Sequence, residues 1–402
     1  MFLCYSIAYL DRVNVGFAAL EMNRDLSLSD AAYSFGAGLF FWGYALLEVP
    51  SNLILARVGA RIWIARIMIG WGLVSSAMMF VTGPYSFAAM RLLLGVAEAG
   101  FFPGMILYLT YWFPLAERAK AVALFMTATA LTGVIGGPLS GALMQLDGTL
   151  GLRGWQWLFL IEGLPAIVFG FITLWYLTDR PEHATWLADD EREWLCATLE
   201  AERTASVHTH SFTTALRHPL IWLFCAIYFC NNVGFYGMTF WLPRIVQNFS
   251  GFGTFATTVL TALPYLCATI VMVSVAVHSD RRRERRWHVA IASATGATGL
   301  LLASQAESPV AGLAALCLTA SGIWSVMAPF WPLVTVLLSS TAAAGGIAFI
   351  NSVGNLGGFF GPSVIGLIHQ ETGSYSTALA YLAIAPITLS VLVLLVPKPV
   401  RR

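Results

Sequence analysis

The chain has 402 residues, of which 58% are hydrophobic and only 11% charged, with a mean hydropathy of +0.73. A soluble domain of this length carries roughly twice that charge, so the composition describes a polytopic membrane protein. A net charge of +1 gives no reason to expect a nucleic-acid partner, and the basic residues matter by position instead.

Apolar runs of about 20 residues can cross a bilayer as helices. In chain order they lie near 1–20, 33–56, 62–82, 86–111, 119–145 and 155–177. A polar, charge-rich stretch from Thr178 to His218 follows, and further runs lie near 219–247, 256–277, 288–305, 309–338, 342–368 and 374–396. The expected organisation is a six-helix bundle over 1–177, a cytoplasmic linker over 178–218 and a second six-helix bundle over 219–402.

Lys and Arg fall on alternate connections: Arg57 and Arg61, Arg118 and Lys120, the 178–218 linker, Arg281 to Arg286, and Lys398, Arg401 and Arg402. The positive-inside rule makes those connections cytoplasmic and puts both termini on that side. A chain of this orientation is expected to open with a cytoplasmic segment, so the abrupt start implies residues missing before Met1. No cleavable signal peptide is expected, because Asp11 and Arg12 interrupt the first apolar run.

Four ionisable side chains sit inside these runs: Asp11 and Arg12 in the first, Arg91 and Glu98 in the fourth. Each would cost roughly 2.5 to 3.5 kcal/mol facing lipid, so they must face one another or water. Arg91 and Glu98 are seven residues apart, which puts them on nearly one helix face about 10 Å apart along the axis. Asp11 and Arg12 diverge by about 100°, so one can face a partner helix while the other faces a cavity. Static interhelical salt bridges would satisfy this pattern, but two acids and two bases in one half suit a site for anions and protons better. Low dielectric favours a neutral carboxyl and a neighbouring arginine favours the carboxylate, so altered pairing can switch proton occupancy. A guanidinium stays charged and can hold a carboxylate through two hydrogen bonds, which makes Arg91 or Arg12 the expected anion anchor.

The two halves echo each other. Gly136-Gly137-Pro138-Leu139-Ser140-Gly141 in the fifth span has a counterpart in Gly357-Gly358-Phe359-Phe360-Gly361-Pro362-Ser363 of the eleventh. Parallel six-span halves are an architecture of secondary transporters, with the substrate site at the midplane between them.

The segments Tyr9-Leu10-Asp11-Arg12-Val13-Asn14, Glu48-Val49-Pro50-Ser51-Asn52, Arg91-Leu92-Leu93-Leu94-Gly95-Val96-Ala97-Glu98-Ala99-Gly100 and Gly154-Trp155-Gln156-Trp157 through Ile161-Glu162-Gly163 resemble the anion:cation symporters of the major facilitator superfamily. Within them the chain is most similar to the bacterial branch of tartrate, phthalate, hydroxyphenylacetate and nicotinate permeases. The resemblance spans essentially the whole chain. It implies an all-α membrane protein with the major facilitator fold, twelve transmembrane helices in two pseudo-symmetric six-helix bundles. It also implies proton-coupled uptake of an organic carboxylate by a monomer, with Asp11 and Glu98 carrying protons and Arg12 and Arg91 engaging substrate or gating the acids. The cytoplasmic signature between spans two and three, Arg57-Val58-Gly59-Ala60-Arg61, lacks the acid usual in that superfamily.

The second half is expected to supply a selective wall from Asn231, Asn232, Tyr236 and Trp241, Trp324 and Trp331, and Asn351 and Asn355, with Tyr44 added from span two. Amides could bond hydroxyl or carbonyl groups and aromatics could pack a ring, although interhelical bonding explains each one equally well. Glu48 and Glu162 read as residues with structural partners. Arg244 lies too near the outer end of span seven for a central anchor. The six cysteines, 4, 196, 225, 230, 267 and 317, show neither CxxC nor metal spacing and read as packing residues. With no Gly-rich phosphate loop, no HExxH and no nucleophile beside a base, no enzyme, metal or cofactor is expected, and the proton gradient is the energy source. The leading function is proton-coupled carboxylate uptake. The alternatives are a proton-driven exporter of organic acids or drugs, and a non-transporting sensor or truncated inactive product.

Overall fold

A computed structural model describes residues 1–205, 219–337 and 340–397, and among these residues every regular element is helical. In the first half the helices are α1 (Phe2–Asp25), α2 (Asp30–Val58), α3 (Ala60–Ala77), α4 (Pro84–Glu98), α5 (Phe101–Trp112), α6 (Leu115–Met144) and α7 (Gly154–Tyr176). After α8 (Asp189–Ala205) come α9 (Pro219–Ser250), α10 (Thr254–Arg282), α11 (Arg286–Ser304), α12 (Pro309–Ser325), α13 (Met327–Leu337), α14 (Ser340–Asn355), α15 (Gly357–Thr372), α16 (Tyr375–Leu382) and α17 (Ile384–Leu394). Eight stretches are long and apolar enough to cross a membrane on those grounds alone. The remaining expected spans fall on α1, on α6, on α11 and on the α14–α15 pair. Leu46, Leu53, Phe171, Ile270, Ile291 and Val391 are exposed, an outer surface suited to lipid rather than water.

Four expected continuous spans are each two helices. The break at Ala99 falls four residues before Pro103, that at Val326 three residues before Pro329, and that at Ala383 three residues before Pro386. Proline has no N–H for the carbonyl four residues back, and its ring crowds that carbonyl. At the first break Gly100 adopts φ +85°, and a Cβ there would strike the Ser51 hydroxyl of α2. The fourth break, at Leu356, lies between Gly354 and Gly357.

Part of the polar stretch after α7 is helical. Residues 189–205 form α8, and Trp186 stacks on Trp112 of α5 at 5.6 Å. Residues 206–218 of the expected linker, like Lys398, Arg401 and Arg402, lie outside the described residues. Asp179 fills the gap noted in the Arg57 to Arg61 signature. Its carboxylate accepts the Arg61 backbone N–H at 2.8 Å and lies against Gly59, whose φ is +100°. An acid there serves the exposed N–H groups that open α3.

Within each half, glycines let backbone touch backbone. Gly95 of α4 lies against the Phe40 carbonyl of α2, and Gly43 of α2 against the Leu92 carbonyl. The second half repeats the device, with Gly357 and Gly361 of α15 against the Phe229 and Val233 carbonyls of α9. Gly95→Ala is therefore expected to lower the melting temperature of the purified protein, at a cost of about 1–3 kcal/mol for overpacking. Gly70→Ala, whose added carbon meets nothing within 4 Å, is the matched control and leaves it unchanged or higher.

The halves meet through α1 with α9, α2 with α15 and α14, and α6 with α10. Here too the approach is close: Gly16 faces the Thr239 and Phe240 carbonyls, and Gly137 faces the Thr258 carbonyl.

Candidate functional site

The two adjacent charges of α1 part company as the helical rotation requires. Asp11, 1% exposed, turns into the first half, where it accepts hydrogen bonds from the Ser75 hydroxyl of α3 and, at 3.2 Å, from the Asn14 amide. Arg12 turns toward the second half. It pairs with Glu98 of α4, donates to the Tyr236 hydroxyl of α9 at 3.3 Å, and lies over the rings of Phe40 and Tyr44 at 5.2 and 5.3 Å.

Arg91, two turns before Glu98 on the same helix, is differently placed. It is fully buried, with its guanidinium 5.1 Å from the Phe40 ring and 5.7 Å from the Phe240 ring of the second half. Its one hydrogen bond runs from Nη2 to the Ala37 carbonyl at 3.4 Å, and neither Nε nor Nη1 has a partner among the described residues. A buried guanidinium carries five donors, and leaving most of them unmet is costly. The aromatic faces offset part of that cost.

The layer thus unites Arg12, Arg91, Glu98, Tyr44 and Tyr236, with Asp11 directly behind it. Most of the other wall candidates have partners elsewhere. Asn231 donates to the Met327 sulfur at 3.4 Å, Trp331 packs edge-on against Tyr228 at 5.0 Å, and Trp324 packs on Phe235 at 4.4 Å. Trp241 is buried and donates to the Pro362 carbonyl at 3.2 Å. Asn232 is buried with its amide nitrogen unpaired, and Asn355 is buried on α14.

Two further sets of contacts join the halves on either side of the layer. At the end that carries Asp30, Arg244 of α9 pairs with Asp30 of α2 at 2.5 Å, and His369 of α15 contacts the other oxygen of the same carboxylate. Toward the end that carries Arg57, Glu48 of α2 is buried and accepts from Asn351 at 2.7 Å and Ser352 at 3.0 Å, both on α14. Asn351, expected on the substrate wall, is thus engaged with Glu48. The sequence reading gave Glu48 a structural partner but had no means of placing that partner in the other half. The Asp30 cluster escaped it as well, and the one available signal was an arginine near the end of a span with no nearby acid in sequence.

A membrane-spanning fold of two helical halves enclosing a buried charged layer is the arrangement of a secondary transporter. Residues 1–362 match the family model of the Major Facilitator Superfamily, and the chain belongs to that family as a transport protein, not an enzyme. An Agrobacterium vitis protein named "Putative tartrate transporter" is 51% identical over 382 residues, covering 95% of this chain and 88% of that protein. An Acinetobacter baumannii "Quinolone resistance transporter" is 41% identical over 385 residues, again 95% of this chain and 88% of that one. The fold matches the crystal structure of a bacterial homologue of the human lysosomal transporter Spinster, inward-facing and occupied, with a TM-score of 0.75 at 18% identity, covering 98% and 93% of the two chains. The all-helical fold and the family read from the motifs both hold.

Proposed function

We propose that the protein takes up a small organic carboxylate, tartrate or another hydroxy or aromatic acid, together with protons, by alternating access. The observation that carries this reading is Arg91, a buried guanidinium with unmet donors between the two halves. A carboxylate accepting both free edges of that group would supply charge and hydrogen bonds at once. Arg12 is already balanced by Glu98. A proton on Glu98 would release the Arg12 charge toward the substrate, which makes loading of anion and proton mutually supportive. Asp11 is the second proton-carrying group.

With the basic connections in the cytoplasm, the Asp30, Arg244 and His369 contacts close the outer side and the Glu48, Asn351 and Ser352 contacts close the inner side. Each set must break in turn as the site opens to one side and then the other. The protein works as a monomer in the bacterial inner membrane, both termini cytoplasmic, with the proton gradient as its only energy source and with lipid, not nucleic acid, as its surroundings.

Export by proton exchange is the second reading, favoured by the relative named for quinolone resistance. The test is accumulation of labelled tartrate, phthalate, 4-hydroxyphenylacetate, nicotinate and galactonate in proteoliposomes, with and without an inward proton gradient. Uptake of one acid driven by the gradient, and lost in Asp11→Asn and Glu98→Gln, is the expected result. Accumulation only when the gradient is reversed would establish exchange instead.

A further inference from the structure

Glu162 of α7 is an acid that the proposed cycle does not use. It is 2% exposed, its Oε1 accepts the Ser140 hydroxyl of α6 at 2.8 Å, and its Oε2 has no partner among the described residues. Two more buried oxygens share that condition, Oδ2 of Asp11 and Oδ1 of Asn14. The three belong to one place. The Asn14 side chain interacts with both carboxyls, donating to Asp11 at 3.2 Å and reaching Glu162 as well. Asn14 is itself fully buried.

The hydrogen bonds around the two carboxyls come from α1, α3 and α6 and involve only neutral amide and hydroxyl donors among the described residues: Asn14 and Ser75 to Asp11, and Ser140 to Glu162. The nearest charged groups on α4 are Arg91 and Glu98, and Glu98 is already paired with Arg12, so no ion pair is formed by Asp11 or Glu162 among the described residues. Two buried carboxyls with no base between them cannot both stay charged at tolerable cost. A small positive occupant would satisfy all three acceptor oxygens at once.

We infer that Asp11, Asn14 and Glu162 form a site for one exchangeable monovalent cation, a proton or a sodium ion, distinct from the Arg12–Glu98 pair. This deepens the symport reading and rests on it for the role of the ion. A proton would be held by either carboxyl and steered by the Asn14 amide. Sodium would take the three oxygens as hard ligands, with the Ser75 and Ser140 hydroxyls beside them. On either identity the ion couples α1 to α7, so substrate bound against α4 and cation bound behind α1 act on the same helix from opposite sides.

The test is an infrared pH titration of the purified full-length protein, following the C=O bands of protonated carboxyls. Asp11→Asn and Glu162→Gln should each remove one band and move the midpoint of the surviving partner to lower pH by about one unit, the effect of deleting a like charge at close range. Ser140→Ala keeps both carboxyls and guards against misfolding; it should retain both bands with a shifted midpoint. If Glu162→Gln leaves the Asp11 band and its midpoint where they were, Glu162 is only a structural acceptor for Ser140 and the inference fails. Exchanging choline for sodium at constant ionic strength identifies the ion: loss of the paired bands assigns sodium, indifference assigns the proton. No transported substrate enters the measurement, so a negative uptake assay and an uncoupled titration are separate results.

Discussion

Arg91→Met is expected to abolish anion binding while raising the thermal stability of the substrate-free protein. The two effects share one cause. A fully buried guanidinium with a single long hydrogen bond is a charge held away from water at a cost. Replacing a buried ion pair with apolar side chains of similar volume is often neutral or stabilising, by about 1–4 kcal/mol, and Arg91→Met strands no ion-pair partner because Glu98 is paired with Arg12. The carboxylate it would hold loses two charge-assisted bonds of roughly 1.5–3 kcal/mol each, a factor of about 100 or more in affinity. The check is a melting curve and a binding isotherm for the transported acid on the same preparation. Arg91→Lys should keep part of the affinity, since an ammonium supplies charge without the planar fork. A variant that melts lower and still binds would show that Arg91 is a structural strut.

The Arg12–Glu98 pair should behave in the opposite way. Glu98→Leu leaves the Arg12 charge buried against Phe40 and Tyr44 with only the Tyr236 hydroxyl for company, which is expected to cost about 3–5 kcal/mol. Arg12→Met is milder, because an unpartnered Glu98 can take up a proton and become neutral. Combining the two removes both charges and should recover most of the stability lost in Glu98→Leu, while transport stays absent in all three. A double-mutant cycle on melting free energies measures this, and strict additivity would mean that the pair does not interact. Two arginines of one layer thus predict opposite signs, which composition and spacing alone could not assign.

Much of this was readable from the chain. The apolar runs located helices at all twelve expected positions, eight of them long and apolar enough to cross a membrane, and the seven-residue spacing placed Arg91 and Glu98 on one face of α4. The 100° step between neighbours separated Asp11 from Arg12, one toward α3 and the other toward the second half. What resisted reading was pairing at a distance. Nothing local ties Asp30 to Arg244 or Glu48 to Asn351, because those partners lie more than 200 residues apart and meet only when the halves dock. Helix breaks were half legible. Pro103, Pro329 and Pro386 end a helix about one turn upstream, yet Pro50, Pro138, Pro165, Pro243 and Pro264 sit inside unbroken helices. Neighbouring helices there absorb the lost hydrogen bond, and only tertiary context decides between the two outcomes.

The glycine seams have a mechanical consequence. Where a carbonyl of α2 rests directly on the Cα of Gly95, or a carbonyl of α9 on that of Gly357, no layer of side-chain rotamers lies between the two backbones to take up slack. Each half then resembles a stiff lever whose two arms cannot flex independently. The Asp30 contacts at the start of α2 and the Glu48 contacts two-thirds of the way along it therefore sit on one body, and a single tilt would act on both in opposite senses.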